Sequence, residues 1–314
     1  MDVAKVNIFG EDIPVRKFGC KNFRAPNPLE YERPRINLFV QTTNKCQANC
    51  AFCIYHNEAC TRKFNIEKYE EVLKYLNSRT DLDIGKLNLT GGEPLIDGQL
   101  FKNIMDTTIE NIEIDRKPEV TLNTNGYTNN LDLILDYQYF LDSVGLSRHH
   151  YDDKINKDIF KTSFVPDENE IKDFMNAMEN KKIVQLRCNL MKDKINSCEE
   201  IRKYMDWAIS VGVHDCGFVT LAPNNDFCKD NQIEFSSLLS LSKDLIEVNN
   251  WERFENNEEI PYCKCANYIY QNISGDMCKF YARLFCNNSC MDGILVFDGE
   301  NLRHGFGGKI IYSK

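Results

Sequence analysis

Residues 35–53 read RINLFVQTTNKCQANCAFC. The run 36–42 is apolar and β-branched, which predicts a strand. It leads directly into Cys46, Cys50 and Cys53, a C-x3-C-x2-C spacing in a short polar loop. A strand that delivers three thiols at its C-terminal end suggests a parallel α/β sheet, where functional groups gather at that end. The chain downstream alternates accordingly. Asn65 caps a helix with Tyr69, Val72, Leu73 and Leu76 on one face. A strand at 86–90 closes on Gly91-Gly92, and Phe101, Ile104, Met105, Ile109 and Ile112 mark the next helix. Strand 120–124 ends in Asn125-Gly126, and a helix is predicted from Leu131 to Phe140. Strand 143–147 precedes a helix near 167–180 carrying Ile171, Phe174, Met175 and Met178. Strand 183–190 precedes a helix opened by a Ser197/Glu200 capping box, and strand 216–221 is the sixth. Strands alternating with helices predict an α/β fold, a partial (β/α)6 parallel barrel over 35–223.

The flanks differ in texture. Residues 1–34 read as a lead-in, with a small hairpin around Gly10 and an extended stretch set by Pro26, Pro28 and Pro34. Residues 224–314 read as a small β-rich extension: a linker over 224–260 with one helix at 236–248, then two hairpins turning at 273–276 and 298–301.

Composition narrows the function classes. The net charge is −9 with no long Lys/Arg run, which argues against nucleic-acid binding. No run approaches the roughly 18 apolar residues of a membrane span, and the N-terminus lacks signal-peptide character. The expected location is cytoplasmic, where thiols stay reduced, so grouping among the 14 cysteines suggests metal rather than disulfides. Cys20, Cys60, Cys188, Cys198, Cys216 and Cys228 are scattered and read as small buried side chains.

Three thiolates from one loop suit three corners of a cubane iron–sulfur cluster, which ordinarily takes four cysteines. The fourth iron is then open for another ligand, the mark of chemistry rather than of a structural staple. A zinc site is the rival reading, although zinc more often takes two separated C-x2-C pairs. The second strand ends in Gly91-Gly92-Glu93-Pro94. Glycines let the backbone approach a ligand closely, and a carboxylate beside them can accept from an ammonium group.

The C-x3-C-x2-C loop after the first strand, with Phe52 before its last cysteine, and Gly-Gly-Glu after the second, resemble the radical S-adenosylmethionine (SAM) superfamily. The resemblance covers roughly 35–223. It implies a [4Fe–4S] cluster on Cys46, Cys50 and Cys53, with SAM chelating the open iron through its amino and carboxylate groups. It implies that Gly91, Gly92 and Glu93 hold the amino group. Tyr55 is a candidate for adenine, with a packing role as the alternative. Asn125, and beside it Asn123, are candidates for the SAM ribose or substrate, a plain turn being the alternative. Ser147 is assigned to the ribose and Arg148 to a carboxylate. His149 and His150 are catalytic candidates for substrate contact or proton relay, a capping and solvated loop over 147–152 being the alternative. Arg187 and Asn189 share one face of the fifth strand and need polar partners there, which SAM and substrate can supply, a plain salt bridge to a neighbouring strand being the alternative. Leu221, at the end of the sixth, offers backbone groups to adenine.

Cys263, Cys265, Cys278 and Cys290 form a candidate second [4Fe–4S] site, with Cys286 as substitute, resembling "twitch" or "SPASM" extensions. Cys-x-Cys departs from the Cys-x2-Cys typical of those tails, and reduced core thiols are the alternative. The function implied is reductive SAM cleavage to a 5′-deoxyadenosyl radical, which abstracts hydrogen from a nucleotide- or sugar-like small molecule. Flavodoxin or ferredoxin is the expected electron donor. Arg148, His149, His150, Arg187, Arg303 and His304 are candidates for phosphate or carboxylate recognition. The alternatives are a maturase acting on a ribosomally made peptide, a non-enzymatic iron–sulfur sensor, and a zinc-stapled domain.

Overall fold

The computed structural model describes residues 3–18, 30–54, 63–233, 245–247, 266–283 and 293–313. Its first hairpin joins β1 (Val3–Ile8) to β2 (Glu11–Phe18). Phe9 (φ 48) and Gly10 (φ 86) form the two-residue turn, whose positive φ angles match the twist of the strands.

Six strands then pair in parallel in chain order: β3 (Glu30–Gln41), β4 (Asp83–Thr90), β5 (Glu119–Thr124), β6 (Ser143–Ser147), β7 (Val184–Leu190) and β8 (Asp215–Thr220). This is the expected partial barrel. One face is aliphatic: Leu38, Leu87, Leu122, Leu146, Leu186 and Phe218 are buried. Helices α1 (Ile66–Ser78) and α2 (Gly98–Asn111) supply part of the covering layer, through Tyr69, Leu73, Phe101 and Ile104. Asn65 caps α1 by accepting from Lys68 N–H. The third helix is shorter than expected. Only α3 (Leu133–Asp136) forms, after a 3-10 turn at Thr128–Asn130. α4 (Asp153–Phe160) lies between β6 and α5 (Glu168–Ala177), and α6 (Cys198–Ser210) precedes β8. The full capping box is at Asp167/Glu170 of α5; Ser197 caps α6, but Glu200 instead accepts from Tyr151 and Lys203.

The other face of the sheet is polar. Asn37, Asn88, Thr121, Asn123, Gln185, Arg187 and Asp215 occupy alternate positions to the aliphatic set. Asn88, Thr121 and Gln185 on this inner face are buried, while Asn37, Asn123, Arg187 and Asp215 are half-buried.

Two expectations about the flanks need correction. The stretch 30–35 is the first half of β3, which pairs with β2 there and with β12 (Ile294–Phe297) from Asn37 onward. Pro34, which has no N–H, sits near the change of partner, where no ladder bond is lost. The C-terminal extension adds strands to both edges of the barrel sheet. After α7 (Asp226–Asp230), residues Leu245–Glu247 form β9; the rest of the helix expected at 236–248 lies outside the described residues. β10 (Ala266–Gln271) and β11 (Met277–Arg283) form a hairpin, and β11 runs parallel to β8. β12 runs parallel to β3 and carries β13 (Leu302–His304) and β14 (Ile310–Tyr312). Among the described residues, no helix is long and apolar enough to cross a membrane.

Candidate active site

The loop after β3 holds Cys46 exposed, Cys53 half-buried and Cys50 buried against Phe160 and Val165. Asn49 N–H donates to Phe160 O at 2.8 Å, which ties the loop to the end of α4. Loss of water around the sulfur atoms pushes the Cys46 thiol up to about 11 and Cys50 up to about 12, and the neighbouring thiols add to both shifts. The three are therefore close enough to act on one another electrostatically. A bound cation would reverse the shift, because a coordinating thiol is deprotonated outright. Cys46 Sγ also accepts from Ala48 N–H at 3.4 Å and from Asn125 Nδ2 at 3.5 Å. Such bonds to sulfur tune iron–sulfur clusters. Among the described residues, no three His, Cys, Asp or Glu side chains converge on a single metal ion. Ligands of one zinc would lie about 3.8 Å apart at Zn–S bonds of roughly 2.3 Å. Thiols that each take a separate iron need no such convergence.

The Gly-Gly-Glu segment lies directly against this loop. Gly92 N–H donates to Thr43 O at 2.6 Å and Glu93 N–H to Lys45 O at 2.7 Å. A Cβ on Gly91 (φ +143) would sit 2.5 Å from Thr43 O, and one on Gly92 would collide with Lys45 O. Both positions therefore require glycine. The buried Glu93 carboxylate accepts from Leu95 N–H (3.0 Å), Thr124 Oγ1 (2.5 Å) and Asn125 N–H (2.7 Å). Burial raises it to about 7 against the pull of those three donors. A carboxylate has about four acceptor sites, so Oε2 keeps one for an ammonium group. The donor set of loop and carboxylate thus fits a cluster and the amino group of SAM.

Asn125 faces the cluster loop. Its Oδ1 accepts from Gln47 Nε2 at 2.7 Å, and its Nδ2 approaches Cys46 Sγ. Ser147 ends β6 half-buried, in register with Arg187. Tyr55 lies outside the described residues.

Arg148, His149 and His150 each have partners within the protein. Arg148 is buried, and its guanidinium donates to His150 O, Pro166 O, Tyr151 O and Asp153 Oδ1 while lying 4.6 Å over the Trp207 ring. With its donors held inside the protein, it anchors the β6–α4 connection instead of gripping a ligand carboxylate. His149 accepts from Asn189 N–H through Nδ1, and it packs on Phe160 at 4.8 Å and Phe52 at 5.0 Å. Burial lowers it to about 3, which favours the neutral ring at its place behind the cluster loop. His150 Nδ1 accepts from Asp152 N–H, and burial lowers its pKa.

The inner wall collects other candidates. Arg187 donates to Gln185 Oε1 at 3.2 Å and to Asn123 Oδ1. It reaches Asn123 by crossing β6 at Gly145, where a Cβ would sit 2.5 Å from its Cζ. Gln185 in turn donates to Asp215 at 2.7 Å. Leu221 packs beside Met191 and Cys228, and its carbonyl accepts from Gln232 at 2.9 Å.

Of the proposed second-cluster ligands, Cys263, Cys265 and Cys290, with Cys286, lie outside the described residues. Cys278 is in the aliphatic layer with its Sγ 3.7 Å from Cys216 Sγ, a core thiol on the face away from the cluster loop. Arg303 is paired with Asp298 at 2.5 Å.

Sequence reasoning missed Gln47, Thr124, Asn225 and the β11 residues. Asn225 Nδ2 donates to Ala51 O at 3.0 Å, and Cys228 Sγ lies 3.6 Å from Phe52 O. A polar residue in Asn123-Thr124-Asn125 was the available signal for Thr124; nothing local pointed to β11.

A cluster loop beside a buried carboxylate, at the C-terminal end of a partial parallel barrel, defines an enzyme that activates SAM at an iron–sulfur centre. Residues 40–220, more than half of the chain, match the Radical SAM superfamily. The protein belongs to that superfamily, whose members use a [4Fe–4S] cluster and SAM. It is 26% identical over 230 residues to a GTP 3′,8-cyclase of Clostridium botulinum, covering 70% of this chain and 68% of that one. It is 30% identical over 135 residues to a GTP 3′,8-cyclase of Petrotoga mobilis, covering 42% of this chain and 39% of the relative's length. Among solved structures it is similar to SAM-bound SuiB of Streptococcus suis, with a TM-score of 0.49, 17% identity, and coverage of 64% of this chain and 44% of that one.

Proposed function

We propose that this radical SAM enzyme abstracts a hydrogen atom from a small, polar, nucleotide-like substrate lying against the inner wall of the barrel. When bound, the cluster and SAM supply a 5′-deoxyadenosyl radical through one-electron cleavage of the C5′–S bond. Cys46, Cys50 and Cys53 would hold the cluster, and Gly91, Gly92 and Glu93 the amino group of SAM. Flavodoxin or ferredoxin would donate the electron. The observation that carries the substrate class is the polar inner wall: Asn88, Asn123, Gln185, Arg187 and Asp215 replace the branched apolar side chains that usually fill a barrel interior. These groups bond one another, and a wall of hydrogen-bonding groups suits a polar ligand better than an apolar one. The GTP cyclases it resembles are in keeping with this reading.

The experiment is anaerobic reconstitution, then incubation with SAM, dithionite and each of the four ribonucleoside triphosphates. The expected result is 5′-deoxyadenosine formation that one nucleotide stimulates while itself being altered. An iron-replete protein that forms 5′-deoxyadenosine but alters none of them overturns the substrate class. The peptide reading has one observation in its favour: among the described residues β1 pairs only with β2, which leaves an edge that an extended peptide could join.

A further inference from the structure

The inner wall has a second glycine gap, and it is filled from the C-terminal extension. Gly217 lies mid-strand in β8, where glycine is less favourable than a residue with a side chain. A glycine there marks a close approach by another group. That group is Tyr281 of β11: a Cβ on Gly217 would sit 2.6 Å from Cε1 and Cζ of its ring and 2.8 Å from its Oη. The hydroxyl end of the phenol therefore reaches across β8 toward β7. The register fixes what it meets there. Tyr281 is level with Gly217, Gly217 with Arg187, and Arg187 with Ser147. Adjacent strands are about 4.8 Å apart, so the phenol covers β8 at the level where the next strand, β7, carries Arg187. Tyr281 is half-buried, and its neighbours Cys278 and Phe280 are on the opposite, buried face.

We propose that Tyr281 is a specificity-determining residue, its hydroxyl hydrogen-bonding an oxygen-bearing group of the substrate at the Ser147–Arg187 level of the inner wall. This rests on the reading that the inner wall holds a small polar substrate. A phenol both donates and accepts, so it suits a sugar hydroxyl or a phosphate oxygen. The extension is then part of the substrate site, because β11 completes the wall that the barrel strands leave open. The competing explanation is structural: an aromatic ring covering a strand glycine stabilises a sheet by itself.

The test uses reconstituted holoenzyme and two variants. Tyr281→Phe keeps the ring and removes only the hydroxyl. Gly217→Ala keeps the hydroxyl and pushes the phenol aside. Binding of the four ribonucleoside triphosphates, SAM affinity and melting temperature are measured for each. The expected result is that whichever triphosphate the wild type binds best is held about tenfold more weakly by both variants, the scale of one hydrogen bond. SAM affinity stays within about twofold, and the melting temperature of Tyr281→Phe is unchanged. Equal triphosphate binding by wild type and Tyr281→Phe overturns the inference and leaves the ring a structural cover. A parallel loss of SAM affinity also overturns it, by assigning the phenol to SAM. A wild type that binds no triphosphate overturns the nucleotide reading and this inference together.

Discussion

The Glu93 carboxylate accepts the backbone N–H of Asn125 at 2.7 Å, which ties the end of β4 to the end of β5 beneath the cluster loop. Glu93→Gln places an amide NH2 where only donors converge. One of Leu95 N–H, Thr124 O–H or Asn125 N–H then loses its acceptor, at a cost of about 1–3 kcal/mol. Thermal unfolding should show the loss, and equilibrium dialysis should show SAM affinity falling by an order of magnitude or more.

Gly92→Ala should act on the cluster without touching a thiol. Its Cβ meets the Lys45 carbonyl, one residue before Cys46, so the loop must shift. The expected outcome is iron content after reconstitution falling well below the roughly four atoms per chain of one cubane. Normal iron content and normal SAM cleavage would mean the loop tolerates the displacement.

Cys46→Ala and Cys278→Ala should part company. The first removes a thiol from the cluster loop and should abolish the charge-transfer absorbance of the reconstituted protein. The second empties a small core volume beside Cys216 and should cost about 1 kcal/mol while leaving iron bound by the first cluster unchanged.

His149 makes stability depend on pH in a definite direction. Burial lowers its folded value to about 3, below the ordinary 6.5, so the folded protein keeps it neutral while the unfolded chain protonates. The contribution is fully present above pH 6.5 and is lost as pH falls toward 3. By pH 5 the loss is about 2 kcal/mol. Denaturant unfolding at pH 7 and pH 5 should show a smaller difference in His149→Phe than in wild type.

Arg148→Met should destabilise by about 1–3 kcal/mol for each buried carbonyl left without its donor. The carbonyls of His150, Tyr151 and Pro166 lose their donor; Asp153 is partly exposed and adds little. SAM affinity of the folded fraction should stay near wild type. A large drop in affinity at unchanged stability would return Arg148 to the ligand.

The barrel strands, the thiol loop and Gly-Gly-Glu are legible in the chain before it folds. These are local features: a strand pattern, a ligand spacing within eight residues, and glycines that close backbone approach demands. The tertiary structure alone decided which polar residues face a ligand. Arg148, His149 and Arg187 look alike as polar residues near strand ends, but the fold buries the first two behind the wall and sends the third across Gly145 toward Asn123. It also decided where the extension goes. A parallel pairing between β11 and β8, or between β12 and β3, joins residues far apart in the chain, and no local propensity encodes which edge accepts which strand. The reach of Tyr281 over Gly217 follows from that pairing, and so became visible only when the sheet was assembled.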